Sequence, residues 1–236
     1  MWVHAQYEAT ALFTLKPAQA TSSGGKTLLV PTPYSIKMAL LDIACRLDGV
    51  GAAEAFWPAL AQATLAIHPP QEVVVNNTFA KVLRQRRKEA APGEQHAGFF
   101  GKTIAYREYA YFAGTFGLAV ETGTPDEAAR ITRWMLNINY LGKRGGFIQI
   151  QGWPESDDTL PDGYLPITGD LTGMAMDTVL TQLDDTDGNV SFGKVSIYTS
   201  EGIRLGKERV LKHVALPYRR VGSSRSYTHY RRHDES

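Results

Sequence analysis

The chain has 236 residues, 43% of them hydrophobic, which suits one buried core or one domain carrying a long insertion. Its 25 Lys and Arg nearly balance 24 Asp and Glu, a formal net charge of +1 that on average argues against a nucleic-acid binder. The average conceals segregation. Pro154 to Asp187 holds nine acids and no Lys or Arg, whereas Arg204 to Arg232 holds nine Lys or Arg and one acid, Glu208. An acidic face and a basic face are expected.

Cys45 is the single cysteine and sits in an apolar helical pattern. It cannot form an internal disulfide, so a reducing cytoplasm is expected, and it reads as a small core residue. No run approaches transmembrane length, and Met1 to Gln19 lacks a signal-peptide layout, so no membrane partner is expected.

In chain order, Trp2 to Leu15 alternates loosely and reads as a first strand. Pro17 to Lys26 is a loop containing Ser22-Ser23-Gly24-Gly25. Thr32 and Pro33 supply a cap and a first-turn proline for a helix over Pro33 to Leu47, with Ile36, Leu40, Ile43 and Leu47 at helical spacing. Gly49 to Gly51 ends it, and a short helix over Ala53 to Ala61 follows. Two long extended runs come next, Glu72 to Lys88 and Lys102 to Val120, joined by a crossing that contains Pro92-Gly93 and Gly98. Thr124-Pro125-Asp126-Glu127 opens a helix to about Asn137. A Gly-rich basic turn and a strand from Phe147 to Gln151 complete the pattern strand, helix, strand, strand, helix, strand. That order is the split βαβ plan: an α+β, ferredoxin-like fold with an antiparallel sheet and a long β-hairpin. The expected organisation is a body over 1–152 with the hairpin over 71–120, an acidic insertion and further short strands (Val195 to Tyr198 and Val210 to Tyr218) over 153–222, and a basic flexible tail over 223–236.

The outer hairpin is strongly cationic. Lys81, Arg84, Arg86, Arg87 and Lys88 fall within eight residues that contain no acid. Such a cluster is relieved by an anion, and a basic finger can lie along a phosphate backbone. A solvated strand edge guarded by Lys and Arg would carry the same residues. On the return run Arg107, Tyr109 and Tyr111 share one face, an arrangement that can stack bases and contact phosphates or can simply pack on a sheet.

Gly25-Lys26-Thr27 ends like a phosphate-binding P-loop, but Ala20 stands where that motif needs glycine and Leu28 to Pro33 is proline-broken, so a nucleotide-hydrolysing loop is excluded. Backbone N–H groups and a lysine there can still hold a phosphate, as can Gly142-Lys143-Arg144-Gly145-Gly146. A flexible surface loop and a plain helix-to-strand connection are the respective alternatives. The six histidines lack metal-ligand spacing, and no zinc or other cofactor is expected. Asp157, Asp158, Asp184, Asp185 and Asp187 read as a solvated face or a contact for a basic partner. His96, near Lys88 and Lys102, is the one candidate general base for RNA cleavage, although a lone loop histidine is more often a surface residue.

The early glycine-rich loop, the segment Pro31-Thr-Pro-Tyr-Ser-Ile-Lys37, the long basic hairpin, Lys102-Thr-Ile-Ala-Tyr-Arg-Glu-Tyr109 and Asn139-Tyr-Leu-Gly-Lys-Arg-Gly-Gly146 together resemble the Cas-five family. That family supplies the RAMP-type subunit of type I CRISPR surveillance complexes (Cascade). The resemblance covers roughly the first two-thirds of the chain. It implies an RRM-like domain whose hairpin, the thumb, crosses the guide RNA and whose body caps the crRNA 5′ handle. The implied partners are a Cas-seven backbone subunit, a large Cas-eight-type subunit and, in the assembled complex, target DNA. By position the thumb is Lys81 to Lys102. The handle pocket draws on Gly24 to Lys26, on Tyr34 and Lys37, and on Lys143 and Arg144. The ribonuclease constellation of one subtype is not found, so a non-catalytic RNA-binding subunit is expected. The alternatives are a metal-independent endoribonuclease using His96 with Lys88 or Tyr34, and a protein-only assembly module whose hairpin pairs with a neighbour's sheet edge.

Overall fold

The computed structural model describes residues 1–20, 25–94, 98–143, 145–171 and 177–233. Its elements are β1 (Trp2–Ala9), α1 (Pro33–Asp48), α2 (Val50–Gln62), β2 (Leu65–His68), β3 (Glu72–Ala90), β4 (Gly98–Ala113), β5 (Thr115–Glu121), α3 (Pro125–Met135) and β6 (Ile148–Ile150). There follow β7 (Glu155–Asp157), β8 (Leu165–Pro166), β9 (Val179–Thr186), α4 (Phe192–Val195), β10 (Arg209–Leu216), β11 (Tyr218–Ser223) and β12 (Tyr227–Arg232). The class is α+β, with antiparallel pairing throughout three sheets.

The central sheet runs β6-β1-β5-β2-β8, with β7 also on β1. Val3, Ala5 and Tyr7 of β1 are buried beneath the helices, and the Tyr7 hydroxyl donates to the Met135 carbonyl at 2.8 Å. Thr32 and Ser35 cap α1 reciprocally, side chain to backbone, at 3.1 Å each way, with Pro33 in the first turn. This start aims Ile36, Leu40 and Ile43 into the core, each burial worth roughly 1.5–3 kcal/mol. The Thr124 side chain accepts from the Glu127 N–H to start α3 in the same way.

The opposite sheet face is covered by the acidic segment. Asp157 meets His4 at 2.8 Å, and Tyr164 lies so close over Gly117 that a Cβ there would stand 2.3 Å from its hydroxyl. Gln6 donates to that hydroxyl at 3.1 Å. Burial pushes the Tyr164 phenol up to about 12.

The long extended runs divide between sheets, which corrects the expected assignment. β3 and β4 pair with each other, not with β1, in a second sheet of order β11-β12-β3-β4. Gly114, at φ 81, breaks the return run, and β5 then crosses into the central sheet beside β1. The strand expected from the first run is instead β2, a four-residue apolar piece stopped by Pro69-Pro70.

Three further expectations are corrected. The segment from Tyr227 to Arg232, expected as a flexible tail, is β12, paired to β3 from Tyr227↔Asn76 to Arg231↔Glu72 and held by Glu72, which accepts from Arg231 at 2.7 Å and contacts His229 at 2.9 Å. His229 and Arg231 face Glu72 at the hairpin root and Arg232 donates to the Pro69 carbonyl, pairings that the sequence pattern alone does not reveal. Val195 to Tyr198 is no strand: α4 turns into a loop where Ile197 is 88% exposed. Asp184 and Asp185 are not solvated. Asp185 pairs with Lys37 at 2.8 Å, and Asp184 with Arg209 at 2.6 Å.

Lys37 therefore leaves the set of RNA contacts. Its ammonium also donates to the Ala61 carbonyl at 2.8 Å and the Thr186 hydroxyl at 3.2 Å, which fixes α1 against α2 and β9. Desolvation lowers the Lys37 pKa and raises that of Asp185, each opposed by the other's charge. Removing one partner of such a pair strands a buried charge. Lys37→Met should destabilise the chain by about 3–5 kcal/mol, and adding Asp185→Leu should recover much of that loss, as read from urea unfolding midpoints.

Candidate nucleic-acid interface

The root of the hairpin is built around Glu108, which is buried. One carboxylate oxygen accepts from the Lys26 ammonium at 2.7 Å and the Tyr106 hydroxyl at 2.9 Å; the other accepts from the Thr27 N–H at 2.9 Å. The Glu108 N–H donates to the Gly25 carbonyl at 2.6 Å, and Phe13 and Ala110 exchange backbone bonds. The glycine-containing loop thus runs along the free edge of β4. Only glycine fits at residue 25, where a Cβ would stand 2.4 Å from the Tyr106 carbonyl oxygen and 2.8 Å from Arg107 Cα. The Glu108 hydrogen bond raises the Lys26 pKa, so its ammonium remains charged through neutral pH.

Beside this root lies a cleft of about 200 Å³ lined by Thr14, Lys16, Gly25, Lys26, Arg107 and Lys143. Three residues singled out in different stretches, Lys26, Arg107 and Lys143, meet here. Lys16, which the sequence pattern did not single out, joins them. A lone lysine in a loop carries no signal until the fold sets it opposite another basic loop. Gly142 and Gly145, at φ 71 and 105, turn the chain at Lys143. The cleft opens past Thr14, Lys16 and Lys143 into a larger cavity of about 690 Å³ at the start of α1, lined in part by Thr32, Tyr34, Ser35 and Asp184. Tyr34 faces this cavity with the Arg209 guanidinium 4.3 Å above its ring. Arg209 is a second residue that the sequence reading missed. Five cations around two connected hollows can hold a phosphate chain. Gly24, His96 and Arg144 lie outside the described residues.

The hairpin extends this basic site outward. Lys81, Arg84, Arg87, Lys88 and Lys102 are exposed, and Arg86 lies over Gly101. Odd-numbered residues of β3 and even-numbered residues of β4 share the face that is continuous with the core, and beyond the core this face exposes Phe79, Leu83, Phe100 and Ile104 together with Lys81 and Lys102. The other face carries Arg84, Arg107, Tyr109 and Tyr111, as the alternation predicted. Among the described residues no group of three or more His, Cys, Asp or Glu could hold a metal ion, and no helix is long and apolar enough to cross a membrane.

No family model matches the chain. A curated relative from Archaeoglobus fulgidus, "CRISPR-associated protein Cas5", is 24% identical over 151 residues, 64% of this chain. The matched part spans 63% of the relative's length. Two solved structures align over most of the chain. "Crystal structure of a CRISPR protein from Archaeoglobus fulgidus" has a TM-score of 0.40 at 12% identity, covering 99% of this chain and 92% of that one. "CRISPR RNA-guided surveillance complex" has a TM-score of 0.43 at 13% identity, covering 91% and 90%. The motifs at the glycine-rich loop, the hairpin and the second basic turn and the curated relative agree: this chain is similar to the Cas5 family of CRISPR-associated proteins.

Proposed function

We propose that the chain is a non-catalytic RNA-binding subunit of a type I CRISPR surveillance complex that caps the crRNA 5′ handle. The observation that carries this reading is the convergence of Lys16, Lys26, Arg107 and Lys143 on one cleft at the root of a cationic hairpin. A cleft with fixed glycine turns and flexible cations suits a bent single strand, whose phosphates are held while its bases splay outward. The body reads as a ferredoxin-like RAMP domain. The order β6-β1-β5-β2, with α1 and α3 as the two crossovers, supports this, and the hairpin is then an insertion between the second and third strands.

The exposed apolar face of the hairpin, Phe79, Leu83, Phe100 and Ile104, suits contact with protein neighbours, a Cas-seven backbone subunit and a large Cas-eight-type subunit. Target DNA then reaches the chain only within the assembled complex. The ribonuclease alternative turns on His96 with Lys88 or Tyr34, and loss of precursor cleavage on His96→Ala with RNA binding retained would favour it.

Two results test this reading. Replacing Arg84, Arg86 and Arg87 with Ala should weaken binding of the guide transcript and flatten the dependence of log affinity on log salt by about 0.7–1 per lost phosphate contact; an unchanged slope would remove the hairpin from the RNA site. Lys16→Ala with Lys143→Ala should release the 5′ end of the guide to nuclease digestion while leaving the melting temperature within a few degrees, because both side chains are exposed. A handle that stays protected in that variant would rule out the cleft as its seat.

A further inference from the structure

Apart from Arg107 and the arginines of the outer hairpin, the outward face of the second sheet has no role in the cap just described. Register places its side chains in rows. Tyr227, Asn76 and Tyr109 form one row across β12, β3 and β4; His229, Val74 and Tyr111 form the next; Arg219, Arg231 and Glu72 form a third, entered from β11. Tyr111 is 51% exposed and Tyr227 40%. Thr78 and Arg107 sit one row outward, and Arg107 also lines the basic cleft, so cleft and face are continuous. Glu72 is the one acid in these rows, and its two oxygens are taken by Arg231 and His229. Arg219 is exposed and has no ion pair among the described residues.

We infer that this face, completed by β11 and β12, is a second track for single-stranded RNA, on which Tyr109, Tyr111 and Tyr227 stack bases while Arg107 and Arg219 hold phosphates. The inference rests on the reading of the chain as a guide-RNA binder and extends the strand's path beyond the cap. Charge complementarity and ring exposure argue for the occupant. A flat sheet face with rings about two strand spacings apart, roughly 10 Å, and cations at its margins fits a strand whose bases face the sheet. Asn76 and Thr78 each donate and accept, which suits a ribose 2′-hydroxyl or a base edge. The large exposed apolar side chains that suit a protein partner, Phe79, Leu83, Phe100 and Ile104, lie on the opposite face.

The test uses the purified full chain and a labelled oligouridylate, followed by fluorescence anisotropy. Tyr111→Ala and Tyr227→Ala should each weaken binding roughly 5- to 150-fold, and Tyr→Phe at either position should stay within about twofold of the wild type, because the ring and not the hydroxyl stacks. Arg219→Ala, which removes no packed group, should lower the salt slope by about 0.7. The alanine variants binding like the wild type, while Arg84, Arg86 and Arg87 replacements still weaken binding, would overturn the track and leave the cap reading standing. A wild-type chain that binds no RNA would overturn both. Equal affinity for an oligodeoxythymidylate would overturn the assignment to RNA.

Discussion

The site depends on one buried carboxylate. Glu108 sits where the hairpin leaves the body, and it ties the glycine-containing loop, through Lys26 and Thr27, to its own strand through Tyr106, whose hydroxyl proton is shared between Glu108 and Asn77 Oδ1 of β3, 2.9 and 3.1 Å away. A buried acid is tolerated only when its oxygens are satisfied, and here a charged donor, a backbone N–H and a phenol share the task. The consequence is positional. Lys26 is held at the mouth of the cleft, its side chain 68% exposed and its charge retained, and the edge of β4 is covered by loop instead of left open.

The same economy governs the acidic segment. Part of its charge is paired within the fold, Asp185 with Lys37, Asp184 with Arg209 and Asp157 with His4, while its other acids are exposed. Arg209 in turn covers the Tyr34 ring, so an acid in β9 positions a cation at the proposed RNA site. The segregation of charge along the chain thus reports an acidic surface together with two buried ion pairs. A near-neutral total is compatible with a basic cleft because most of the acids are exposed in other parts of the chain.

Local signals were legible where the physics is local. The Thr32-Pro33 and Thr124-Pro125 starts, the cation cluster of the hairpin, and the alternation that puts Arg107, Tyr109 and Tyr111 on one side all follow from neighbouring residues. What escaped was non-local. Lys37 lies one turn from the start of an amphipathic helix and resembles a surface lysine until Asp185 arrives from β9 to bury it. The short β2 carries too few residues to show a period. The division of the return run between two sheets turns on a single glycine, Gly114, in an otherwise uninterrupted extended pattern. Lys16 gained meaning only from the loops that fold against it.

The place of β12 has a consequence for how the chain reaches its native state. It lies between β3 and β11, yet Glu72 and His229, which it brings together, are 157 positions apart. During synthesis the hairpin can zip up locally, but the outer edge of β3 keeps a row of unpaired amides and carbonyls until the distant strand emerges. Closing so long a loop is slow relative to hairpin formation, so the nascent chain passes through a stage with a sticky, half-finished sheet. The valines that alternate along that edge, Val73 and Val75 inward and Val74 outward, make it a site where premature self-association competes with completion.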